Sequence, residues 1–93
     1  MTTYAFAMLR STDADKITEY RTRAADALAL HGGEVVQASP DPKVLEGAPV
    51  VPDIMALLRF PDAASAHAWI ADPTLSDVHA LRNGAGASDI LLM

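Results

Sequence analysis

The chain has 93 residues, seven lysines and arginines against twelve aspartates and glutamates, a net charge of −5, and no cysteine. That length predicts one domain over residues 1–93 around a single core. The lack of cysteine excludes disulfides, thiolate metal sites and cysteine nucleophiles, and an acidic balance without a basic block argues against nucleic acid. No apolar run is long enough to span a bilayer, and the first residues lack the form of a signal peptide. A cytoplasmic protein with no membrane partner is therefore expected. One value is unusual: the chain is 51% hydrophobic but only 5% aromatic. Small domains bury proportionally little surface, so the apolar surplus needs cover, and a second copy of the chain is the simplest cover.

Thr3 to Arg10 (TYAFAMLR) reads as a strand with Tyr4, Phe6 and Met8 on one face and Ala5, Ala7 and Leu9 on the other. Both faces are apolar, which fits a central strand covered on two sides. Asp13 is the expected N-cap of a long amphipathic helix carrying Ile17, Tyr20, Ala24, Leu28 and His31 at helical spacing. Gly32-Gly33 ends it, one of the two taking the left-handed cap position. Glu34 to Ser39 is a short strand, Pro40-Asp41-Pro42 a turn, and Lys43 to Gly47 a brief extended piece. Asp53 to Phe60 (DIMALLRF) is a further strand, with Ile54, Ala56, Leu58 and Phe60 opposite Met55 and Leu57, and Arg59 as the exception. Asp62 caps a second helix over Ala63 to Ala71, and Pro73 opens another that runs to about Arg82. Asn83 to Gly86 reads as a loop and Ser88 to Met93 as the last strand.

The order β-α-β-β-α-β predicts an α+β, ferredoxin-like fold: a four-stranded antiparallel sheet with the helices on one face. Two strands that are apolar on both sides leave the other face of that sheet uncovered. Topology and composition thus make the same demand, two sheets facing each other in a homodimer.

Glu19-Tyr20-Arg21, Gly33, Val44-Leu45-Glu46-Gly47, Phe60-Pro61, Ala68-Trp69, Asp72-Pro73 and Leu81-Arg82, in this order and spacing, resemble the domain of unknown function 1330 family of the dimeric α/β-barrel superfamily. The resemblance covers nearly the whole chain. It implies a homodimeric barrel with a cavity between sheet and helices in each protomer. Relatives in the superfamily include cofactor-independent monooxygenases, lactone isomerases and polyketide-processing proteins. Two positions depart from the family pattern. Ile70 stands where a tyrosine often follows the tryptophan, and Thr74-Leu75 stands where a Glu-Tyr pair is common.

Within that frame Trp69, the only tryptophan, is either a flat wall for an apolar ligand or plain core. Tyr20 lies in the buried stripe of the first helix, where its hydroxyl needs a partner. Arg21 beside it reads as one half of a solvated pair with Glu46 or Asp53. Arg59 is a charge in an apolar strand, either reaching water at the strand end or anchoring a carboxylate or enolate at the cavity mouth. Arg82 has the same two readings, with the resemblance favouring a structural or pocket role. His79, three residues before Arg82 on the same helix face, is the natural general acid or base if it lines the cavity.

His31, His67 and His79 lack the spacing of a metal site, so no metal is expected. Gly84-Ala85-Gly86 precedes a strand rather than a helix, which disqualifies it as a phosphate loop. An RNA-binding sheet would need exposed strand aromatics on a basic surface. The expected function is binding of a small apolar, carbonyl-bearing or cyclic molecule. That binding would serve a cofactor-free monooxygenase, isomerase or cyclase reaction, or else non-catalytic sequestration.

Overall fold

The computed structural model describes residues 1–93. Its strands are β1 (Thr3–Ser11), β2 (Glu34–Ser39), β3 (Ile54–Phe60) and β4 (Gly86–Leu92), and its helices are α1 (Ala14–Ala29), α2 (Ala63–Ala71) and α3 (Ser76–Gly84). A 3₁₀ turn over Pro73–Leu75 joins the last two helices. The sheet runs β2-β3-β1-β4 and every pairing is antiparallel. This is the α+β, ferredoxin-like arrangement that the element order predicts.

Local chemistry explains most of the boundaries. The Asp13 carboxylate accepts the Lys16 amide at 3.1 Å and the Asp62 carboxylate accepts the Ser65 amide at 2.7 Å, capping α1 and α2. α1 closes in a Schellman turn, in which the Gly33 amide reaches back to the Leu28 carbonyl at 2.9 Å. Gly32 takes the left-handed position at φ 71°. Gly33 allows a different economy: a Cβ there would lie 2.8 Å from the Phe60 ring, so its bare backbone lets the chain turn directly over that side chain.

α3 runs past Arg82 through Gly84, and the loop expected over Asn83–Gly86 shrinks accordingly. The reason is a long-range tie. The carbonyl of fully buried Ala85 accepts the Thr12 amide at 2.6 Å, the Asp13 amide at 3.1 Å and the Thr12 hydroxyl at 3.3 Å. These bonds hold the end of α3 against the junction of β1 and α1. The piece expected to be extended at Lys43–Gly47 is irregular, lying within the long connection from β2 to β3.

Strand register sorts the side chains. Ala5 pairs with Leu58 and Leu92, and Ala7 with Ala56 and Ile90, so these side chains share the face under the helices. There Leu28, Leu58, Phe60, Trp69, Leu75 and Val78 form the core. Full burial of a side chain such as Leu28 or Phe60 contributes about 1.5–3 kcal/mol. The opposite face carries Tyr4, Phe6, Met8, Met55, Leu57 and Leu91, with no helix over it. β2 has a bulge between Val35 and Gln37. The extra residue keeps Val35 and Ala38 on the helix side while Gln37 stays on the outer side.

Candidate functional site

A cavity of about 430 Å³ lies between α1 and the inner face of the sheet. Small side chains make the space: Ala24 and Ala25 on the helix face Ala7, Ala38 and Ala56 on the strands. Tyr20, Trp69, Arg82 and Ser88 stand at one end of it, and Arg21 lies at the exposed rim. Arg21 pairs with neither carboxylate suggested by the sequence; Asp53 accepts the Ser11 amide at 2.8 Å.

Arg82 organises the polar end. It is 5% exposed, and no carboxylate pairs with it. Its partners are all neutral: Nε donates to the Ser88 hydroxyl at 3.1 Å, and Nη1 to the Tyr20 hydroxyl at 3.4 Å and to His79 Nδ1 at 2.9 Å. Nη2 makes no hydrogen bond within the protein. The guanidinium carbon sits 5.5 Å from the Trp69 ring centre and 5.7 Å from that of Tyr20, within cation–π range.

The geometry settles which proton His79 carries. A guanidinium only donates, so Nδ1 must accept with its lone pair. Nε2 lies 2.9 Å from the Trp69 carbonyl, which only accepts, so Nε2 must hold the hydrogen. Only the neutral ring satisfies both contacts. Burial lowers the His79 pKa below its usual value and the nearby Arg82 charge lowers it further, against an opposing effect of the Trp69 carbonyl.

His79 is thus in a different position from the one its general acid or base role requires. It lies behind Arg82, does not line the cavity, and has both ring nitrogens engaged. Its ring meets Trp69 edge-on at 4.9 Å, and Trp69 in turn packs on Phe60 at 5.6 Å. Trp69 therefore packs in the core on one side and borders the cavity on the other. Its buried indole N–H has no acceptor.

Arg59 is a correction. It points to the outer face of the sheet, where it forms an ion pair with its cross-strand neighbour Glu34, and it has no part in the cavity. Parity explains this: Arg59 alternates with Leu57 and Met55 on the outer side, whereas the cavity faces Leu58 and Ala56. Ser88 was not singled out by its sequence context. It shares the inner face of β4 with Ile90 and Leu92, and a hydroxyl among inward-facing aliphatic residues was the available signal.

The remaining histidines serve elsewhere. His31 Nε2 lies 2.8 Å from Asp72, clasping the end of α1 to the α2–α3 connection, and His67 is exposed. No three His, Asp or Glu side chains gather as metal ligands would, and no helix is long and apolar enough to cross a membrane. Ile70, Thr74 and Leu75, where the sequence departs from the family pattern, do not line this cavity.

Fold and cavity together define a ferredoxin-like α+β protein with an apolar chamber between helix and sheet. The chain belongs to the family described as domain of unknown function DUF1330, whose model matches residues 2–93. It is similar to a solved protein of unknown function from Rhodopseudomonas palustris, with a TM-score of 0.75 at 17% identity over 99% of this chain and 80% of that one. A dimeric ferredoxin-like protein of unknown function from Jannaschia sp. CCS1 gives 0.72 at 17% identity, over 100% of this chain and 98% of the other. SnoaB, a cofactor-independent oxygenase from Streptomyces nogalater, gives 0.67 at 12% identity, over 99% and 89%. At such identities the likeness establishes the fold. A sequence search of curated proteins gave no match.

Proposed function

We propose that the protein is a homodimeric small-molecule-binding protein whose cavity takes an apolar, carbonyl-bearing or cyclic compound. The observation that carries this reading is the apolar chamber of about 430 Å³ closed at one end by a buried arginine. Its volume suits a compact metabolite, and few polar groups in an apolar lining are what orient such ligands. Tyr20 and Trp69 supply flat aromatic walls. Dimerisation is supported by the uncovered outer face of the sheet, with Phe6, Met8, Met55 and Leu57 at its centre, and by the dimeric solved relatives. A thermal-shift screen against a metabolite library tests the reading, since a ligand selective for the native state raises the midpoint. A library of compact apolar compounds that leaves the midpoint unmoved would count against it.

A catalytic version draws on one specific feature, the Tyr20 hydroxyl bonded to Arg82 at the cavity wall. Such a pair would stabilise an enolate formed from a bound carbonyl compound. In a reaction like that of a cofactor-independent oxygenase, the substrate carbanion would itself give electrons to dioxygen. Against it, His79 is occupied and no carboxylate lines the cavity, so no general base stands ready. Holding a ligand is therefore the better supported activity.

A further inference from the structure

We infer that the ligand is an anion: an apolar body carrying one carboxylate-like head, bound head-first against Arg82 and Tyr20. This rests on the binding reading above and names the chemistry it leaves open. The first argument is charge. The protein has twelve acidic side chains and a net charge of −5, yet no acidic residue lines the cavity, whereas two of its seven basic residues, Arg21 and Arg82, do. An isolated charge buried among neutral partners is costly, and an opposite charge supplied by a ligand would relieve that cost.

The second argument is hydrogen-bond direction. Arg82 commits its Nε and Nη1 hydrogens to Ser88, Tyr20 and His79, and both Nη2 hydrogens remain unused. Tyr20 accepts from Arg82 and donates to nothing in the protein, so its hydroxyl hydrogen is also available. The free hydrogens at this end belong to donors, and the head they suit is acceptor-rich. A guanidinium edge beside a phenol fits a carboxylate or another oxyanion and repels an ammonium. His79 is a positioning residue here, since its Nδ1 lone pair fixes Nη1 and thereby leaves Nη2 for the ligand.

The test compares octanoate, octan-1-ol and octylamine, which share one apolar body. Trp69, the only tryptophan, lies in the cavity wall, so its emission reports occupancy directly. Octanoate is expected to bind about tenfold more tightly than octan-1-ol, and octylamine more weakly than either. Arg82→Gln should reduce octanoate to the level of octan-1-ol, since the neutral hydroxyl loses far less than the carboxylate does. Should that variant fail to fold, Tyr20→Phe keeps the ring and removes one donor. It should weaken octanoate by about threefold to tenfold and octan-1-ol by less. Equal binding of octanoate and octan-1-ol by the native protein would overturn the anion inference while the cavity reading stood. Undiminished octanoate selectivity in either folded variant would overturn it as well. If none of the three compounds binds, as judged by emission and thermal shift together, the cavity reading fails first and takes the inference with it.

Discussion

The two faces of the sheet are both largely apolar, yet charge is held differently against each. Against the inner face, Arg82 of α3 is buried among neutral partners and keeps two hydrogens unused. On the outer face Arg59 is half exposed and paired with Glu34 beside an apolar strip. One side therefore has unfinished polar chemistry within a recess, and the other has no such buried donor. A small molecule would complete the first, while the second offers mainly area, of the kind the proposed dimer would cover.

Breaking that contrast begins with the outer face. Leu57→Lys puts a charge at the centre of the strip, and sedimentation should then fall from about twice 9.8 kDa to 9.8 kDa. Octanoate binding in the monomer should persist; joint loss of both properties would show that the faces are not independent. Next in size is Trp69→Ala, expected to cost about 3–5 kcal/mol in denaturant unfolding. Trp69→Phe should cost much less, because the indole N–H has no partner to lose.

His79→Phe retains a ring edge-on to Trp69 but leaves an Arg82 hydrogen and the Trp69 carbonyl unpaired, for about 1–3 kcal/mol. The same residue sets a pH dependence. Its folded pKa is lowered, so the unfolded chain binds the proton more readily, and stability rises with pH. The His79 contribution is complete above its ordinary pKa of 6.5 and is lost as the pH falls through the lowered folded value. Thermal midpoints measured down from neutral pH should decline more steeply in the native protein than in His79→Phe. Asp72, held at a pKa of about 2 by Thr74 and His31, acts in a separate window, its contribution present above 3.8 and lost as the pH falls through about 2. Smallest of all is Arg59→Gln. Removing a solvent-exposed ion pair should change stability by about 0–1 kcal/mol and leave octanoate affinity unchanged.

Whatever depended on neighbours in the chain was legible beforehand. The Asp13 and Asp62 caps, the Gly32-Gly33 stop, the strand alternation and the surplus of apolar strand faces are short-range signals, and they suffice for the topology. Arg59 was also readable, since its parity with Met55 and Leu57 places it away from the helices. The role of His79 was not. Its spacing from Arg82 showed a shared helix face, but which atoms occupy its nitrogens depends on a carbonyl ten residues earlier. The extension of α3 past Arg82 to Gly84 was equally hidden, because the bonds that hold it come from Thr12 and Asp13, more than seventy residues away.

That tie at Ala85 has a bearing on how the site can change. Tyr20 rides on the helix that starts at Asp13, Arg82 on the helix that ends beside Ala85, and one carbonyl pins both together. The breadth of the chamber is set elsewhere, by alanines on β1, β2, β3 and the middle of α1. Grip and girth are thus separately adjustable: enlarging Ala7, Ala24 or Ala56 would narrow the chamber without shifting Tyr20 and Arg82, the two groups proposed to take the ligand's head.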